Sequence, residues 1–179
     1  MNALRVVNTV WQGKMGFPLE LEIIMIILRN HLMVNSISLQ NASTIKQLKI
    51  ELKPGGTVLF FKSGSFRIMG SMDDFSAHDC MYTLLNELCI EIPEINVQTM
   101  TAVSSNRLNV NLDRLSKHLN KRIYEPELFP AIQITQYKPI HVNIFSTGCV
   151  VILGLKNIEG GIQILDKLTP HILHSQYAD

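Results

Sequence analysis

Glu125 and Glu127 flank Pro126 in the stretch YEPELFP, Tyr124–Pro130. Two neighbouring carboxylates can act as an acid and a base when burial holds one of them protonated. Astride a proline, in an expected surface loop, these two are expected to be hydrated and of ordinary acidity, so catalysis is not anticipated. His171 and His174 form an HxxH pair, and His78 lies close to Cys80. A structural zinc needs four ligands, and no third or fourth stands at a suitable spacing. Cys80, Cys89 and Cys149 make an odd count without a CxxC pair, which suits buried thiols in a reducing compartment. Glycine-rich phosphate loops, nucleophile elbows and HExxH helices are missing from the sequence. No cofactor, no metal and no enzymatic activity are therefore expected. The chemistry to look for is binding.

The composition allows an ordered globular protein. Of 179 residues, 46% are hydrophobic and 17% charged, and the formal net charge is +1. That charge argues neither for nor against nucleic acid, although dedicated DNA-binding domains are usually more basic. The apolar run IIMIIL (Ile23–Leu28) is too short to span a bilayer. No signal peptide is read at the start, so a soluble intracellular protein without membrane attachment is expected.

What must position any site is a duplication. FFKSGSFRIMG begins at Phe60 and IFSTGCVVILG at Ile144. Phe61 and Phe145 stand 84 positions apart (145 − 61), and the same offset links Gly64 to Gly148 and Gly70 to Gly154. Each copy follows a proline (Pro54, Pro139) and reads as a β-hairpin, with period-two strands around a glycine turn. Each hairpin leads into a helix. The first places Phe75, Cys80, Leu84 and Leu88 near one face, with Asp73 or Asp74 as N-cap. The second places Ile158, Ile162, Leu165 and Leu168 similarly. Upstream, LRVVNTV and INVQTMTAV read as opening strands, LELEIIMIILRN and VNLDRLSKHLNK as helices, and STIKQLKIEL and AIQITQY as further strands. The unit is strand–helix–strands–helix, written twice as repeats 1–92 and 93–179, with helices on one sheet face and the other face open.

YEPELFP, followed by Lys138-Pro139 and IFSTGCVVILGLK, resembles the second repeat of the TATA-box-binding protein core. VVNTV, Arg29-Asn30 and FFKSG carry the likeness in the first repeat. The resemblance spans essentially the whole chain and is thinnest from His31 to Lys53. It implies an α+β saddle: a curved antiparallel sheet of about ten strands, two tandem repeats, and helices on the convex face. In that family the concave face docks the minor groove of AT-rich promoter DNA and bends it with apolar wedges.

Carried over by residue, the resemblance implies wedges at Phe129, Phe145 and Phe61, while the fourth wedge position falls at or near Thr44. The family's asparagine pair falls on Arg5 and Thr99, with Gln98 beside the latter. Val7, Thr101 and Val151 would line the groove. Met69 and Leu153 stand where the family has threonines, and Arg67 stands where it has a valine. Arg5 and Arg67 would supply positive charge to a narrow groove. Lys46, Lys49, Lys53, Lys62 and Lys138 are expected to be solvated, with those near the sheet rim within reach of phosphates. Glu125, Glu127 and Leu128 match the family's docking loop for transcription factor IIB. The helix after the first hairpin is acidic, with Asp73, Asp74, Asp79 and Glu87, where the family's is basic.

The expected function is a TATA-binding-protein-like initiation factor that recruits a IIB-like factor and the RNA polymerase machinery, and that can pair as a homodimer when free. The alternative is a scaffold of the same fold that has lost sequence-specific DNA binding. A divergent, virus-encoded origin is expected, with action in the nucleus or at a cytoplasmic viral transcription site.

Overall fold

The computed structural model describes residues 3–42, 45–120 and 122–176. Ten strands and four helices follow in the order β1 (Arg5–Lys14), α1 (Leu21–Leu28), β2 (Val34–Ala42), β3 (Ile45–Leu52), β4 (Thr57–Phe61), β5 (Ser65–Gly70), α2 (Asp74–Glu87), β6 (Ile95–Ser104), α3 (Leu112–His118), β7 (Arg122–Ile123), β8 (Ala131–Ile134), β9 (His141–Phe145), β10 (Val150–Leu155) and α4 (Ile158–His174). This is the α+β class expected. By contacts the chain divides into residues 8–98 and residues 1–7 with 99–179, so the boundaries fall inside β1 and β6.

In the unit of residues 8–98 the strand order is β2-β3-β4-β5-β1. Every pair is antiparallel. β2 is a full strand in the region where the family likeness is thin, and it pairs with β3 along Val34–Ala42. Strict alternation sorts the hairpin: Val58, Phe60, Phe66 and Ile68 are buried beneath the helices, and Leu59, Phe61, Arg67 and Met69 face the other way. The Phe60 and Phe66 rings meet at 6.3 Å in the core.

α2 begins at Asp73, whose carboxylate accepts the Ser76 amide at 2.7 Å. Its buried face is Ala77, Cys80, Met81, Leu84 and Leu85. Phe75, expected on that face, is instead 80% exposed, and Leu88 is only half-buried. The stripe runs through Ala77 and Met81, and Phe75, two residues before Ala77, lies about 200° round the helix from it. Trp11 ties β1 to the same helix by donating its indole N–H to Asp74 Oδ1 at 2.9 Å.

The other unit repeats the plan with the strand order β6-β10-β9-β8-β7. Val142, Ile144, Val150 and Ile152 point into a core with Leu115, Leu165, Leu168 and Ile172. α4 runs on through Pro170 to His174, and Ile162, expected inside, is 44% exposed, because Ile164 and Gly161 take the buried stripe. Asn111 and Asn157 cap α3 and α4, accepting the amides of Arg114 and Gly160, each at 2.9 Å.

Both hairpin turns are clamped from outside. Met15 and Leu19 donate their amides to the carbonyls of Gly64 and Lys62, at 2.9 and 3.0 Å. Leu108 and Val110 do the same to Thr147 and Ser146, at 3.0 and 2.8 Å. Gly64 has φ +87°, and a Cβ there would sit 2.3 Å from the Phe17 carbonyl oxygen, so only glycine fits.

Asp73→Ala is expected to lower the melting temperature at neutral pH, with the deficit fading in acid. Hydrogen bonds from the Ser76 side chain and amide hold the Asp73 carboxyl below its ordinary 3.8. A depressed carboxyl stabilises fully above that value and loses its contribution as pH falls through the folded-state pKa. Thermal melts of both proteins, at neutral pH and below the carboxyl range, check this.

Candidate nucleic-acid interface

Each hairpin presents a row of side chains on the face away from the helices. In one unit the row pairs Met69 with Val10 and Arg67 with Gln12 across β5 and β1. In the other it pairs Leu153 with Thr101 and Val151 with Val103 across β10 and β6. Matching the rows sets Val10 against Thr101 and Gln12 against Val103. Two residues back along each strand, Asn8 therefore corresponds to Thr99.

By this register Asn8, and not Arg5, is the residue matched to Thr99. Arg5 is exposed and Val6, Val7 and Asn8 are all half-buried, and the alternation that buries Thr9 and Trp11 and leaves Val10 and Gln12 on the open face begins after them. Asn8 stands three residues along from Arg5, and an odd offset in a strand exchanges its two faces. The residue at that position is an asparagine, the type the family resemblance implies for this pair. Thr99 remains the substituted partner, beside half-buried Gln98. Thr101, Val151 and Leu153 are half-buried and lie in the open row of their unit, as Met69 and Arg67 do in theirs.

The phenylalanines separate as their types cannot. Phe60 is fully buried, whereas Phe61, Phe129 and Phe145 are each partly exposed. Phe129 and Phe145 meet edge-on, with centroids 6.1 Å apart. A short turn sets Phe129, with the Leu128 and Phe129 amides both donating to the Glu125 carbonyl at 2.9 Å. Phe145 lies opposite Ala131, and Phe61 lies opposite Gln47. Two residues before Ala131 is Phe129, and two before Gln47 is Ile45. Thr44, at or near which the fourth wedge was expected, lies outside the described residues, and the register matches Ile45 to Phe129. Ile45 is 52% exposed and shares an open cleft of about 820 Å³ with Phe61, Arg67, Lys14, Lys46 and Lys62. The Arg67 guanidinium stands 5.8 Å from the centre of the Phe61 ring. The unmatched β2 segment precedes Ile45, so its match to Phe129 comes from the hairpin register alone.

Charge is segregated. Residues 68–106 hold six carboxylates and no lysine or arginine, so the remainder has 16 basic residues against nine acidic ones. The near-neutral total conceals a basic body carrying an acidic segment. Lys46 pairs with Glu22, and Lys49 with Glu51 at 2.7 Å, holding both carboxyls below their ordinary range.

Elsewhere, Glu125 and Glu127 are exposed and Leu128 is 79% exposed, a surface suited to contact and not to proton transfer. His174 lies 3.4 Å from Arg114 and packs edge-on to His118 at 5.7 Å. His78 contacts the Asp74 carbonyl at 3.0 Å. Among the described residues no group of three His, Cys, Asp or Glu could hold a metal, and no helix is long and apolar enough to cross a membrane. Burial pushes the Cys80 thiol up to about 11, which leaves it unreactive.

Comparison with known proteins gives a consistent result. The family model described as "Transcription factor TFIID (or TATA-binding protein, TBP)" matches residues 94–174. A TATA-box-binding protein of Methanocaldococcus jannaschii is 30% identical over 97% of this chain and 95% of its own length. One from Methanococcus maripaludis is 35% identical over 65% of this chain and 68% of its own. The solved structure "Methanococcus jannaschii TBP" superimposes with a TM-score of 0.79 at 28% identity, covering 96% of this chain and 98% of that one. Neither a viral origin nor a nuclear location draws support from these relatives. The likeness runs through both repeats, and the chain belongs to the TATA-binding protein family, whose members are transcription factors and not enzymes.

Proposed function

We propose that this chain is a transcription initiation factor that docks AT-rich promoter DNA in the minor groove and bends it. The observation that carries the reading is the pair of matched rows, each ending in a partly exposed phenylalanine that the core does not need. Phe129 and Phe145 enter a base step as one wedge, and Ile45 and Phe61 enter another, since isoleucine is among the side chains used as wedges. Asn8 and Thr99 donate hydrogen bonds to adenine N3 and thymine O2 edges, which A·T and T·A pairs share. Specificity then rests mainly on how readily TA-rich steps deform.

The scaffold alternative loses its main supports. It drew on two lost asparagines, a lost wedge and a neutral chain. Asn8 keeps its place in the row, Ile45 supplies an apolar side chain, and the positive charge is concentrated outside residues 68–106. Glu125, Glu127 and Leu128 form the contact for a IIB-like factor and, through it, the polymerase. Free of DNA, the half-apolar rows are the surface through which two copies pair.

Gel shifts on an AT-rich duplex against a G·C-rich one test the reading, with indifference to base composition as the result that sinks it. Asn8→Ala is expected to weaken binding to the AT-rich duplex by about 2- to 12-fold, the worth of one hydrogen bond of ~0.5–1.5 kcal/mol. Thr99→Asn is expected to strengthen it. Titrations by fluorescence anisotropy at one fixed salt concentration check both.

A further inference from the structure

α2 turns one face into the core and leaves a second stripe without a structural task. Phe75, Asp79 and Tyr82 follow one another at helical spacing on the outside, with Phe75 80% and Tyr82 57% exposed. Beside Phe75 opens a cleft of about 420 Å³, bounded by the turn between β3 and β4 and by the first turns of α2. Its lining is apolar at Met33, Leu52, Met72 and Cys80 and includes the exposed Asp79. Gly56, at φ +103°, shapes the wall, because a Cβ there would meet the Met72 methyl at 2.4 Å.

We propose that this cleft docks a short basic, apolar segment of a partner protein, with an apolar side chain between Met33 and Met72 and lysine or arginine over Phe75 and Asp79. The lining needs an apolar guest, and a volume of this size falls within the ~300–1,000 Å³ of ordinary binding sites. The two methionines of the lining can repack around guests of differing shape. The charge selects the flanks. Asp73 caps α2 and Asp74 and Asp79 lie on it, within a segment of six carboxylates and no lysine or arginine, and Lys53 is the one lysine or arginine in the lining. Such a surface repels phosphate backbones and acidic peptides and favours cationic ones. The exposed Phe75 ring adds a face for a guanidinium or ammonium group. This contact uses none of the residues proposed for DNA or for the IIB-like factor.

The test is selection of short random displayed peptides on the immobilised full chain, followed by affinity measurements on Phe75→Ala, Asp79→Lys and Glu127→Ala. Recovered peptides are expected to combine an aromatic or aliphatic residue with neighbouring lysines or arginines. They are expected to lose affinity by at least about tenfold on each of the first two variants and to be unmoved by the third. Phe75 and Asp79 are exposed, so melting temperature and AT-rich duplex affinity stay at wild-type values, which separates this outcome from any failure of DNA binding. Recovery of neutral or acidic peptides, or affinity within about twofold of wild type on either Phe75→Ala or Asp79→Lys, overturns the proposal.

Discussion

Phe60→Ala is expected to destabilise the chain by about 3–5 kcal/mol, whereas Phe61→Ala, one residue along, leaves the unfolding midpoint almost unchanged. The two residues share a strand and differ only in the face they occupy. Phe60 is fully buried against Phe66, so truncation removes a ring from a packed interior and leaves a cavity. Against a total stability of ~5–15 kcal/mol, that loss is severe. Phe61 faces the open cleft with Arg67 and Ile45, where truncation removes exposed area and little packing. The loss from Phe61→Ala is expected in DNA affinity instead. Trp11, the one tryptophan, is buried and reports urea unfolding by fluorescence. A shift in midpoint on the order of 1 M or more is expected for Phe60→Ala alone, given slopes of ~1–3 kcal/mol/M. Equal shifts for both variants would contradict the assignment of faces.

The largest functional effect is expected at Phe129 and Phe145. Each alanine substitution should weaken binding to an AT-rich duplex by at least about tenfold, and the double variant should lose little more than the worse single. The reason is their edge-on contact at 6.1 Å. A wedge formed by two rings acts as one body, so removing either leaves the other without its support. Ile45→Ala is expected to cost less, since an aliphatic side chain presents less area to a base step. Ile45→Phe should strengthen binding by restoring a two-ring wedge in that unit. Anisotropy titrations at constant salt give the affinities of wild type and the five variants, and strict additivity of Phe129→Ala and Phe145→Ala would show that the rings act independently.

The parts legible in the sequence were those where local grammar and duplication agreed. The two hairpins, their glycine turns and the loop at Glu125–Phe129 all stood where the repeated motif put them. β1 was harder for a physical reason. RVVNTVWQG is apolar on both faces near its start, with Val6 and Val7 adjacent, so period two alone does not say which set is buried. The pairing of Val10 with Met69 decides it, and that is a contact between residues far apart in the chain. Ile45 was hidden by the same kind of long-range information, because the β2 segment upstream has no counterpart to align. On α2, Phe75 looked like a core residue from its type, yet the stripe through Ala77, Cys80, Met81 and Leu84 passes it by. Net charge misled most simply, because a sum cannot show that residues 68–106 hold no lysine or arginine.

The central claim is that DNA is bent by side chains the fold itself does not require. The direct measurement is energy transfer between dyes at the two ends of an AT-rich duplex, titrated with wild type and with a Phe61, Phe129 and Phe145 triple alanine variant. Wild type is expected to bring the dye-bearing ends closer on saturation, and the folded triple variant to leave their separation unchanged at equal occupancy. Saturable binding by wild type without any change in end-to-end distance would contradict the account.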